Sequence, residues 1–126
     1  MPTYSENGKN SYTAAAAVVK GNILKFAAAD AQGLPSVTPT TASTDVPVAI
    51  ALTDANAGEK VAVKILGTGG TTLVKAGGAL SAGDTLGAGG AEAAAGDTAI
   101  GVALAGAANG DLVEVATVMP VVVPAG

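Results

Sequence analysis

Residues 48–63, VAIALTDANAGEKVAV, return 52 positions later as residues 100–115, IGVALAGAANGDLVEV. In and around the first copy Val46, Val48, Ile50 and Leu52 alternate with Pro47, Ala49, Ala51 and Thr53. Further on, Val61, Val63 and Ile65 alternate with Ala62, Lys64 and Leu66. A period of two with β-branched residues predicts strands, although alanine alone favours helix. The connecting residues, DANAGEK, carry Asp, Asn and Gly, which accept turn conformations that other residues resist. The unit predicts strand, tight connection, strand.

Sliding the chain by 52 superposes Asp45 on Asp97, Ala51 on Ala103, Leu52 on Leu104, Ala55 on Ala107, Gly58 on Gly110, Val61 on Val113 and Val63 on Val115. Glu59 over Asp111 and Ile50 over Val102 are conservative matches, and the apolar face keeps its phase. Duplication of a hairpin explains this; so does convergence of two hairpins in a biased composition, because Ala and Gly match cheaply. A second recurrence is a small residue, Gly and an acid, centred on Gly58, Gly83, Gly96 and Gly110. Before a strand this is turn chemistry, with Gly supplying a positive φ and the acid facing water. Closely spaced turns with strands between them predict an all-β barrel or sandwich-like body. Pro35 and Pro39 predict a loop or ragged edge, and Pro120 and Pro124 a blunted edge or a tail laid on a neighbour.

The 126 residues suit one domain. Gly and Ala fill 47 positions, while Leu, Ile, Val and Phe together fill 29. Alanine buries little area, so burial against further copies or a larger surface is expected. The chain has no Cys, no His and no Arg, and its net charge is −4. Disulfides, thiolate or imidazole metal sites and the usual general base are excluded, and nucleic-acid binding is disfavoured. The longest apolar run near the start, residues 14–19, is shorter than a signal core or membrane span needs, so the expectation is a protein made in the cytoplasm with no membrane partner.

Tyr4, Tyr12 and Phe26 are the three aromatics, all within the first 26 residues. Residues 1–17 read as a polar N-terminal arm and 18–126 as the β-rich domain. The rings either anchor on a partner surface or pack over their own thin core. Chemistry finds no footing. Carboxylates fall in turns, DANAGE departs from a calcium loop at its Gly and at the twelfth position (Ile65), GAGGAE fails the dinucleotide pattern, and no Ser has a His to activate it. Neither an enzyme nor a cofactor is expected.

The phrases GDTAIGVALAGAANGDLVEVATV and VPVAIALTDANAGEKVAVKILG resemble the head decoration (capsid cement) proteins of tailed bacteriophages, over residues 46–118 and most specifically over 100–115. The resemblance implies a structural virion protein on the outer capsid surface, often a trimer. Its partner would be the major capsid protein, and its role to hold neighbouring capsomers against packaged DNA. It implies capsid contacts for the arm with Tyr4 and Tyr12, joined by Phe26 as a candidate contact, and barrel turns at Gly58, Gly83, Gly96 and Gly110. A β-rich module of a phage fibre or a cell-surface adhesin is the alternative.

Overall fold

A computed structural model describes residues 9–29 and 32–124. The described residues form nine strands and no helix: β1 (Lys9–Ala14), β2 (Ile23–Ala27), β3 (Ser36–Pro39), β4 (Ala49–Ala51), β5 (Lys60–Ile65), β6 (Thr71–Lys75), β7 (Thr85–Gly87), β8 (Thr98–Ala103) and β9 (Leu112–Val122). The all-β expectation holds. A closed barrel in the order β1-β3-β2-β4-β5 comes first, followed by a four-stranded sheet in the order β6-β9-β8-β7.

The hairpin echo is a true structural repeat. Ala49↔Ile65, Ile50↔Lys64 and Ala51↔Val63 pair in the first half; Gly101↔Thr117, Val102↔Ala116 and Ala103↔Val115 pair in the second, each 52 positions on. The repeat also reaches strands whose sequences do not advertise it. Tyr12↔Val61 and Thr13↔Lys60 are answered by Val74↔Val113 and Lys75↔Leu112, and Ile23↔Ile50 by Thr85↔Val102. For β1 and β2 the spacing to β6 and β7 is 62, because the first half carries ten additional residues between β2 and β4. Most of them lengthen the link from β2 into β3, since Leu24↔Pro39 is answered by the bridge Leu86↔Glu92; β3 itself pairs parallel with β1 and antiparallel with β2 and so closes the barrel.

This corrects the loop expected at Pro35 and Pro39. Pro35 precedes β3 and Pro39 is its last residue, so the missing N–H groups fall at the strand's ends. Residues 9–14, taken from sequence as part of an arm, form β1, and Ala14 and Val18 are fully buried. The polar reading of that segment came from Ser11 and Thr13, which alternate with the inward-facing Tyr12 and Ala14.

The composition follows from the narrow interior. A five-stranded barrel leaves little room inside, and Ala14, Ala49, Ala51 and Ala55 share that space with Leu24, Val37, Val61 and Val63. Ile50, between the two alanines of β4, joins a second cluster with Ile23, Leu66, Val74, Leu86, Val113 and Val115. Strand β4 is therefore buried on both faces, whereas the sequence pattern assigned the core to the larger residues alone.

The second half is closed differently. Where Ala15 N–H donates to Val37 O of β3 at 2.8 Å, Gly77 N–H donates to Gly90 O at 2.8 Å. A Cβ on Gly77 would lie 2.1 Å from Gly89 O, so this closure requires backbone against backbone. The GAGGAE segment thus joins strand edges, and its glycines are explained by that contact. The neighbouring donor, Lys75 N–H, reaches across to Gly21 O of the first half at 2.8 Å, in the place where Thr13 N–H meets Pro35 O.

Candidate functional site: an apolar groove between the halves

Local turns fix the body that carries the site. At Gly58, Gly83, Gly96 and Gly110 φ lies between 89° and 92°, and the following acid folds back on its own turn. Asp84 is representative: its N–H donates to Ser81 O at 3.1 Å while its carboxylate accepts from Ser81 N–H at 2.8 Å. Sequence reading missed a fifth member, in which Asn22 follows Gly21 and accepts from Val19 N–H at 2.9 Å. Lysine at position 20 broke the small-Gly-acid pattern there. It also missed Asp45, which accepts from Thr41 and Ala42 N–H at 2.8 and 3.0 Å without a glycine.

Electrostatics around these turns is local. Hydrogen bonds from Thr41 and Ala42 N–H, followed by the Lys25 ammonium at 3.1 Å, hold the Asp45 carboxyl down at about 2. Asp97 is lowered by Ala94 N–H and then by the Ser43 hydroxyl. Both groups are anchored as anions. Among the described residues no three acidic side chains gather into a metal-binding group, and no helix is long and apolar enough to cross a membrane.

The candidate aromatics meet. Tyr12 and Phe26 stand edge to face, with ring centroids 5.7 Å apart and planes at 76°. Such a pair adds about 0.5–1.5 kcal/mol beyond the area it buries. Tyr12 is buried in the barrel cluster, while Phe26, two places beyond Leu24 on the same face of β2, is 51 % exposed. Tyr4 lies outside the described residues.

Beside the pair runs an open groove of about 540 Å³, lined by Tyr12, Phe26, Val46, Pro47, Val48, Ile65, Leu66, Met119 and Pro120. Its lining contains no charged side chain. Val46 is 67 % and Met119 76 % exposed. Met119 arrives through a bulge: β8 and β9 pair at Ala99↔Val121 and next at Gly101↔Thr117, so residues 118–120 stand opposite Ile100 alone. Gly67, in the link between the halves, lets this bulge approach, because a Cβ there would be 2.9 Å from Met119 Cγ. The aromatic cluster was a usable sequence signal for one wall. Nothing local in the sequence joins Val46 and Pro47 to Met119, and the run VMPVVV was the nearest hint.

The arrangement offers shape and apolar area, with flexible Met119 and rigid Phe26 on its rim and buried Pro47 in its floor. The fold has a solved counterpart. The head fiber gp8.5 N base of bacteriophage phi29 is similar at a TM-score of 0.69 and 21 % identity, over 89 % of this chain and 94 % of that one. At that identity the likeness is one of fold. No protein-family model matches the chain. No curated protein matches it either.

Proposed function

We propose that this chain is a structural virion protein of a tailed bacteriophage, docked on the outer surface of the head through its apolar groove as the base of a head-attached projection. The supporting observation is the likeness to the base of a head fiber over nearly the full length of both chains. The groove suits the role, since it presents an aromatic, a valine and a methionine to solvent without a charge among them. The partner is the major capsid protein, and no step of chemistry is required. Weak single contacts suffice when many copies sit on one shell or when the chain is itself an oligomer, a trimer being the expected form.

Co-sedimentation with expanded, DNA-free heads tests the reading. Saturable pelleting at a fixed ratio to capsid protein is expected, and Phe26→Asp or Met119→Asp weakens it about tenfold or more by placing a carboxylate in the interface. A folded chain that never pellets with intact heads overturns the docking proposal and leaves the module of a tail fibre or an adhesin. Cementing of neighbouring capsomers is the second reading, favoured by the resemblance of residues 100–115 to decoration proteins. It predicts that DNA-filled heads lose their genome at a higher temperature with the chain bound, which a fibre base need not produce.

A further inference from the structure

The interface between the halves contains a template for another. On the first half Ile23, Ile50 and Leu66 are at most 6 % exposed beneath the second half, and Gly21 O accepts Lys75 N–H at 2.8 Å at the edge of β6. Leu112 sits over Gly21 so closely that a Cβ there would be 2.6 Å from its Cδ2. By strand register and spacing, the same places on the second half are Gly83, Thr85, Val102 and Val118. There Val102 and Val118 are 38 % and 44 % exposed, and nothing lies within 4 Å of a Cβ built on Gly83. Aliphatic character persists on this face at Val102 and Val118, although within the described chain no strand edge covers it.

We infer that this outward face of the second half is a docking surface for a β-module of another chain that presents an uncapped, β6-like strand edge. The occupant is defined by the template. A backbone N–H of its edge strand donates to Gly83 O as Lys75 does to Gly21 O, and an aliphatic side chain covers Gly83 as Leu112 covers Gly21. The first half of a second copy does not meet this description, because β3 already occupies the edge of β1. A module built like residues 67–126, whose β6 edge takes its cap from outside, does. This inference is independent of the docking on heads proposed above.

The test uses the full chain followed by a Gly/Ser linker of about 15 residues, long enough to reach across a small domain, and an added copy of residues 67–126. The added module is expected to dock in cis and resist proteolytic trimming. The pair Val102→Asp and Val118→Asp in the first copy is expected to speed trimming back to parental length about tenfold or more, since two carboxylates are then desolvated in the interface. The same pair in the parent chain leaves circular dichroism and Tm unchanged. Trimming of the unsubstituted tandem as fast as the variant overturns the inference, and so does equal resistance of both, which means the module folds without this face.

Discussion

The Ser43 hydroxyl donates to the Asp97 carboxylate at 2.8 Å, so the turn at 42–45 grips its counterpart at 94–97 in the other half. Thr98 N–H donating to Ser43 O at 2.9 Å makes the contact two-sided. Of the two equivalent acids, Asp97 takes part in the seam, while Asp45 holds its own half together through Thr41, Ala42 and Lys25.

Acid should loosen both turns. Both carboxyls lie below their ordinary value of 3.8, Asp45 at about 2. The folded protein therefore binds these protons less readily than the unfolded chain. Their contribution is present above about pH 4 and is lost as pH falls toward 2. Urea midpoints measured at pH 7, 4 and 2.5 are expected to drop over the last interval, and less steeply in Asp45→Asn. An unchanged acid drop in that variant assigns the effect elsewhere.

Enlarging the small residues of the barrel should be costly. Ala49 is fully buried in an interior shared with Leu24, Val61 and Val63, so Ala49→Leu is expected to destabilise by about 1–3 kcal/mol through overpacking. Chemical denaturation with an unchanged m-value would report it.

Two glycines should fail for different reasons. Gly110 has φ 92° and open space around it, so Gly110→Ala is expected to cost about 1–2 kcal/mol of backbone strain alone. Gly77→Ala forces a methyl to within 2.1 Å of Gly89 O and should exceed it, because the closure of the second half must open. Equal losses in thermal unfolding would count against that distinction.

Thr117 is the described residue with a buried side-chain oxygen that finds no partner. Thr117→Val keeps the shape and removes an unsatisfied hydroxyl, so a gain of about 1 kcal/mol is expected. A loss of stability would mean that the hydroxyl has a water or protein partner in solution.

Truncation should show that β1 belongs to the barrel. Removing residues 1–14 takes away the strand that joins β3 to β5, and the far-UV β signal is expected to collapse. Removing residues 1–8 spares β1 and should retain it. Retention of the folded signal in both deletions would show that the barrel closes without its first strand.

The hairpins β4–β5 and β8–β9 were legible because alternation, glycine and acid agree at one fixed spacing. The pairs β1 with β6 and β2 with β7 were hidden for two physical reasons. Their spacing differs by the ten residues added between β2 and β4, and their equivalent residues differ in size, as Tyr12 does from Val74 and Ile23 from Thr85. One wall of the groove could be read from the aromatic clustering. The opposite wall depends on a bulge in β9, a feature of pairing that no local pattern around Met119 encodes.

Strand β3 also gives the molecule a direction. A unit whose outward face fits its own edge has no natural end, and copies of it would add in a row indefinitely. The lengthened link that lets β3 run along β1 acts as a stop at one end, and on the inference drawn above the other end accepts a successor. Growth by that inferred contact would proceed only one way.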